Sequence, residues 1–138
     1  MAFYATFFTI KLNDFNGENI IEGPSFLKNR LKILKEVQNP TAKDKGEIRV
    51  SEVALEMYAR GFEFLPADLY KSKASKFTIE DGKVRMPLRA IPGLGENCAN
   101  SIEEEALKTK FLSVEDFSKR TRAGNSVITI LQKKWNVN

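Results

Sequence analysis

The chain has 138 residues, 42% of them hydrophobic and 29% charged, with a formal net charge of +4; that is one domain's worth of core and an ordinary solvated surface. It has no histidine and a single cysteine, Cys98. This excludes Ser-His-Asp and Cys-His hydrolases, His-ligated metals, a Cys-built zinc cage and an internal disulfide. No apolar run approaches the roughly 20 residues of a membrane span. The apolar start, Met1 to Phe8, lacks the basic leader of a signal peptide, and a lone cysteine suits a reducing cytoplasm.

Residues 3–12 fit a helix or a strand equally; as a helix, Phe3, Phe7 and Ile10 share one side, with Tyr4 and Phe8 beside them. Asn13–Gly23, rich in Asn, Asp and Gly, predicts a loop. Pro24 opens a helix with an apolar stripe of Phe26, Leu27, Leu31, Leu34 and Val37, Lys28, Arg30, Lys32 and Lys35 lie opposite, and Asn39-Pro40 ends it. A second helix, from about Lys45 to Arg60, turns Ile48, Val53, Ala54, Met57 and Tyr58 inward, with Gly61 as a left-handed cap. Phe62–Phe64 alternates as a short strand, and Pro66–Asp68 turns it. Phe77–Ile79 and Val84–Met86 flank Asp81-Gly82, a hairpin signal because both central positions of a type I′ turn require positive φ.

From Pro87 the pattern is helical again. Leu88 and Ile91 lead into Pro92-Gly-Leu-Gly95, and a helix follows from about Glu96 to Lys108. Ser113 and Asp116 have capping-box spacing over a helix with Val114, Phe117 and Leu112 inward. After Arg122–Asn125 a last helix, Ser126 to Trp135, buries Val127, Ile130, Leu131 and Trp135. The expected fold is α+β and mostly helical: a helical segment 1–61, a small β element and connector 62–87, and a helix-hairpin-helix unit 88–138. The glycine-bearing turns at Gly93/Gly95 and Gly124 suggest a structural duplication.

The hairpin Ile91–Ile102 carries the chemistry. Ile91 and Leu94 are apolar pegs, Ala99 is small enough for close helix packing, and Ile102 closes the core. Gly93 and Gly95 bare the backbone and permit positive φ. Helix N-terminal amides begin at Glu96 and Asn97, where free N–H groups and the dipole favour an anion. Such a turn binds phosphate rather than bases and weakens with salt. Arg89, Lys110, Lys119, Arg120 and Arg122 are candidate helpers, with Gly124 baring the second turn. Taken one at a time, each basic residue reads more simply as a solvated side chain. Residues 61–138 hold thirteen basic against ten acidic residues, and residues 1–60 nine against eight, a mild basic bias compatible with nucleic acid.

The aspartates Asp14, Asp44, Asp68, Asp81 and Asp116 are scattered over loops and caps, none at a spacing that holds two metals. No catalytic residue is assigned. Cys98 stands on the first turn of a helix, where a thiol pKa can fall; a small buried filler is the simpler reading.

Val53–Met57, Arg60-Gly-Phe62, Asp68–Ser72, Ala90–Gly95, Phe111–Phe117 and the opening Ala2–Phe8 occur in the order found near the C-terminal end of the PolC family. The chain thus resembles that family, the replicative DNA polymerase III alpha subunit of low-GC Gram-positive bacteria and their relatives. The resemblance implies the end of the fingers plus the helix-hairpin-helix domain that holds primer–template duplex, packed against the remainder of the polymerase chain. It places the magnesium-binding palm aspartates upstream. It also implies a monovalent cation at the backbone carbonyls of Ile91, Gly93 and Gly95. Two departures stand out. Glu103–Glu105 replaces a region where the family tends to be basic, and Lys133–Asn138 lacks the Gln-containing peptide that binds the sliding clamp, which puts that partner in question. The alternative is a protein–protein interaction module within the replisome. A repair nuclease or ligase is disfavoured by the residues before Arg60.

Overall fold

A helix that is apolar on every side can bury only one of its faces, and α1 (Ala2–Ile10) illustrates how the choice is made. In the computed structural model, which describes residues 1–135 and side chains through Lys133, α1 buries Tyr4 and Phe8. The expected row of Phe3, Phe7 and Ile10 is not the buried one: Phe3 is 61% and Ile10 74% exposed. The reason is tertiary. Phe8 is fully buried at the centre of an aromatic cluster, its ring centroid 5.3 Å from Phe15, 5.3 Å from Phe64 and 5.6 Å from Phe77. Phe15 and Phe77 meet edge-on at 4.8 Å, a favoured geometry for aromatic pairs.

The segment expected as a loop after α1 is structured. A 3-10 turn spans Leu12–Asp14, and α2 covers Gly17–Ile21. Asn16 caps α2, its side-chain oxygen accepting from the amides of Glu18 and Asn19 at 3.1 and 3.2 Å. Its Asn and Gly residues, the signs of a loop, thus serve as a cap and a contact. A Cβ on Gly17 would lie 2.7 Å from the Ala90 carbonyl oxygen, so only glycine allows the start of α2 to touch that backbone.

Helices α3 (Pro24–Lys35) and α4 (Ala42–Ala59) pack against each other, with Arg30 paired to Glu47 and Lys35 to Glu52. Of the expected stripe on α3, Leu27, Leu31 and Leu34 are buried, while Phe26 and Val37 are each 41% exposed. Helix α4 starts three residues earlier than Lys45. Thr41 and Asp44 form a complete capping box there, with reciprocal bonds of 3.1 and 3.0 Å. Its buried face runs through Val50, Val53, Ala54 and Met57, and Ile48 is only half-buried. The Tyr58 hydroxyl donates to the Ile20 carbonyl at 2.7 Å, and burial, with Glu63 nearby, pushes its pKa up to about 12. Gly61 caps the helix at φ +86°.

The sheet has three short strands in the order β1-β3-β2. Strand β1 is Phe64–Leu65, slightly later than expected, and runs parallel to β3 (Lys83–Arg85). Strands β2 (Thr78–Glu80) and β3 are joined by Asp81 at φ +52° and Gly82 at φ +76°, the anticipated type I′ turn. Arg85 is 7% exposed, and its guanidinium donates to both Glu80 oxygens at 2.8 and 2.9 Å and to the Pro66 carbonyl at 2.8 Å.

Helices α5 (Glu96–Lys108), α6 (Val114–Arg120) and α7 (Asn125–Trp135) complete a mostly helical α+β chain. One hydrophobic core runs without a break from Tyr4 to Leu131 and includes residues of all three expected segments. The inward placement expected of Trp135 lies outside the described side chains. Leu112, expected inward, is 89% exposed, because it precedes α6 and its amide is spent on Asp116. None of the described helices is long and apolar enough to cross a membrane.

The two faces of α1 should respond differently to truncation. Phe8→Ala is expected to cost about 3–5 kcal/mol in urea unfolding, whereas Phe3→Ala should stay within about 0.5 kcal/mol.

Candidate nucleic-acid interface

The hairpin begins on a single 3-10 turn, Leu88–Ala90, where the sequence suggested a longer helix. Its amides are committed to a neighbouring segment: Leu88 and Arg89 donate to the carbonyls of Lys73 and Ala74 at 2.9 and 3.0 Å. That segment is itself anchored by Ser72, which accepts from the Asp68 amide at 2.8 Å and donates to the Met86 carbonyl at 2.6 Å. The Asp68–Ser72 motif is therefore scaffolding for the hairpin.

Ile91 and Leu94 are 3% and 5% exposed, so their side chains are pegs and only their backbone is available to a ligand. The amide of Leu94 turns back to the Ile91 carbonyl at 3.1 Å. The two glycines differ. Gly93 has φ +90°, and a Cβ there would come within 2.9 Å of the Ile130 methyl on α7. Gly95 sits at φ −81°, ψ 172°, an extended conformation open to any residue, with nothing within 4 Å of a Cβ. Positive φ, which either glycine permits, is adopted only at Gly93.

Helix α5 starts at Glu96 with Gly95 as N-cap and no side-chain cap. Helices α2, α4 and α6 are capped by Asn16, Thr41 and Ser113, whereas α1 and α3, the latter also with a glycine N-cap at Gly23, share the absence of a side-chain cap. Glu96 and Asn97 are exposed, so the first-turn amides of α5 open outward with no side chain over them. Behind them Ala99 and Ile102 are fully buried. Cys98 is buried too, and burial pushes its thiol pKa up, which makes it a filler rather than a nucleophile.

The second turn repeats the first at an offset of 29 residues. Gly124 stands to α7 as Gly95 stands to α5: the Ala99 amide donates to the Gly95 carbonyl at 2.9 Å, and the Ile128 amide to the Gly124 carbonyl at 3.0 Å. Val127 and Leu131 are buried on α7 as Cys98 and Ile102 are on α5. Ile130 is half-buried rather than core, and it abuts Gly93, which joins the two turns.

The basic candidates divide by what they touch. Arg120 is tied up inside the fold: it donates to Glu105 Oε1 and Asp116 Oδ2 at 3.2 Å each, and to the carbonyls of Glu105, Thr109 and Lys110 at 2.7, 3.0 and 3.2 Å. It also lies over the Phe111 ring at 4.6 Å. Its five donors are spent on closing the open C-terminal end of α5, so it is not offered to a phosphate. Arg89 is held only by neutral oxygens, Asn13 Oδ1 at 2.9 Å and Ser75 Oγ at 3.3 Å, so its charge is unneutralised. Arg122 is exposed, and its amide is fixed to Ser101 Oγ at 3.0 Å. Lys110 and Lys119 are exposed and enter no ion pair among the described residues.

The acidic run on α5 looks different in three dimensions. Glu103 accepts from the Ala74 amide at 2.8 Å, and Glu105 is paired with Lys108 at 2.8 Å and with Arg120. Only Glu104 is exposed. Hydrogen bonds from Lys108 and then Arg120 hold the Glu105 carboxyl below its usual range, and the Leu112 amide and then Arg120 do the same for Asp116. Asp116 thus forms half of the expected capping box: Ser113 accepts from its amide at 3.1 Å, but its carboxylate takes the Leu112 amide rather than that of Ser113.

A polar groove of about 450 Å³ runs beside the hairpin, between Gly93–Gly95 on one side and Asn13–Asn16 with Lys43 of α4 on the other. Sequence reasoning assigned no role to Asn13 or Lys43. The one signal for Lys43 was a cation in the first turn of a capped helix, where the dipole disfavours it. Among the described residues no group of three or more Cys, Asp or Glu is arranged to hold a metal ion.

The helix-hairpin-helix motif family matches residues 61–134. Over 132 residues the chain is 42% identical to the DNA polymerase III PolC-type of Thermotoga maritima, covering 96% of this chain and 10% of that protein. It is 42% identical over 133 residues to the same-named protein of Caldanaerobacter subterraneus, with the same coverages. To that of Bacillus cereus it is 35% identical over 135 residues, 97% of this chain and 9% of that protein. The chain thus spans about a tenth of the length of these curated relatives.

Two stability effects follow from this geometry. Gly93→Ala is expected to lose about 1–3 kcal/mol, the usual cost of a side chain held at positive φ, while Gly95→Ala leaves the melting curve nearly unchanged. Glu105 and Asp116, depressed in the folded chain, stabilise it at neutral pH, and that stability is lost as pH falls from the ordinary carboxylate range through their lowered values. Thermal melts of Arg120→Gln should show lower stability at neutral pH and a shallower decline into acid.

Proposed function

The chain belongs to the PolC-type DNA polymerase III family and carries a helix-hairpin-helix motif, and on that premise we propose that it grips duplex DNA by the sugar–phosphate backbone without reading sequence. The observation that carries this reading is the uncapped start of α5. Gly95 offers no side chain, Gly93 turns the backbone out of the way, and the amides of Glu96 and Asn97 open to solvent at the positive end of a 13-residue helix. A phosphate oxygen is the natural acceptor for such amides. The pegs beneath keep the turn rigid, so little ordering is required on binding.

Arg89, oriented by Asn13 and Ser75, together with the exposed Arg122 and Lys110 would supply charge around this fixed site, and the second turn at Gly124 repeats its backbone form. Backbone carbonyls of Ile91, Gly93 and Gly95 would hold the monovalent cation that the family resemblance implies. In the complete polymerase the duplex would be the primer–template, gripped away from the magnesium-binding palm. The remaining polymerase chain would cover part of the exposed apolar surface.

A second reading, contact with a replisome protein, draws on a different place. An apolar cleft of about 330 Å³ lies between Leu69–Tyr70 and the α6–α7 face, lined by Phe111, Phe117 and Ile128. Backbone chemical shifts that respond to DNA only around that cleft, and not at Ile91–Ile102, would favour it.

Binding to two unrelated duplexes across a salt series tests the first reading. Both affinities should be equal and fall together, with a log–log slope of about −0.9 per phosphate contacted. Gly95→Val should keep the fold, since a Cβ there meets nothing within 4 Å, and lose at least about tenfold in affinity, or about 1.4 kcal/mol. A marked preference for one duplex, or a Gly95→Val chain that binds like the parent, overturns it.

A further inference from the structure

The groove beside the hairpin is lined by two cations that form no ion pair among the described residues. Arg89 projects into it with neutral oxygens from Asn13 and Ser75 as its hydrogen-bond partners. Lys43 lines the opposite wall, is exposed, and takes part in no ion pair among the described residues. Lys43 also stands in the first turn of the 18-residue α4, where the helix dipole opposes a positive charge. The amides at that end are already served by Thr41 and Asp44, so the lysine plays no capping part. Glu47, further along the groove, is matched by Arg30 at 2.9 Å. The one unmatched acid is Asp14, whose carboxylate lies against the Gly46 backbone, within 2.6 Å of where a Cβ would stand. With Glu47 matched by Arg30 from outside the groove, the unpaired Arg89 and Lys43 exceed Asp14 by one charge next to the bare turn.

Resting on the reading of that turn as a phosphate holder, we infer that the groove takes a second backbone phosphate of the same DNA strand. Arg89 grips it as a fork and Lys43 as a point charge. Charges on one strand recur about every 3.4 Å along the duplex axis, so a strand seated at Gly93–Gly95 carries its next phosphates along this groove. The guanidinium of Arg89 is already oriented by Asn13 and Ser75, which lowers the ordering cost of the contact. On this account Asn13 is a positioning residue, and the helical segment before Gly61 is part of the DNA interface and not only a support for it. Asp14 works against the bound phosphate and gives the inference a sign that can be tested.

The experiment is a titration of labelled duplex DNA with the parent chain, Lys43→Ala, Asp14→Asn and Gly95→Val over a range of salt, with thermal melts of each. Lys43→Ala should bind about three- to tenfold more weakly, with a salt slope shallower by about one, as for loss of a single phosphate contact. Asp14→Asn should bind more tightly. A Lys43→Ala chain that keeps the parent affinity and slope overturns the inference. So does an Asp14→Asn chain that binds more weakly, since the groove would then be holding a cation. If Gly95→Val loses binding and Lys43→Ala does not, the turn keeps its role and the groove has none. If neither variant changes binding, both readings fall.

Discussion

A backbone that is to bind phosphate must be kept free of internal partners and yet be held still. These demands oppose each other, because buried or ordered amides ordinarily find acceptors. The hairpin meets both by anchoring through side chains on either side of the bare segment. Ile91 and Leu94 are sunk in the core, and Gly93 is pressed against Ile130. Gly95 has neither a side chain nor a neighbour. The contact between Gly93 and Ile130 is therefore the constraint on which the rest of the site depends: it fixes the first turn and ties it to the helix that follows the second.

Charge is sorted by the same logic. Arg85 and Arg120 are satisfied within the fold, the first by Glu80 and the Pro66 carbonyl, the second by Glu105 and Asp116 with three main-chain carbonyls. Their separation from Arg89 is one of partner chemistry. A guanidinium bound to carboxylates has its charge neutralised and its donors used; one bound to neutral oxygens keeps its charge while gaining a fixed orientation. The acidic run on α5, which in sequence opposes phosphate binding, is absorbed in the same way. Glu103 serves the Ala74 amide and Glu105 serves Lys108 and Arg120.

The N-terminal helices are not a separate appendage to the hairpin. Gly17 lets α2 touch the Ala90 carbonyl, Asn13 holds Arg89, and the aromatic cluster around Phe8 joins α1 to the sheet that leads into the turn. The family matched over residues 61–134 covers only part of this arrangement. The groove arises where that part meets the segment before it.

Local chemistry was legible in the residues themselves. Asp81-Gly82 specified its turn, and Gly61 its helix cap. The span of α5 and the pegs at Ile91 and Leu94 could be read directly, and ordered motifs identified the family. Each depends on neighbours close in sequence, where backbone sterics and periodicity decide the outcome. What only the tertiary structure decided was partnership. With aromatic residues on every side, α1 has no preferred face until Phe15, Phe64 and Phe77 supply one. Arg120 and Arg89 look alike in sequence, and their partners across the fold, Glu105 for one and Asn13 for the other, make one a brace and leave the other a free charge. Gly93 and Gly95 likewise share a motif, but only Gly93 faces Ile130, 37 residues further along the chain. The sequence determined a glycine-bearing helix-hairpin-helix turn; the packing determined which of its residues are held by the fold and which are left exposed.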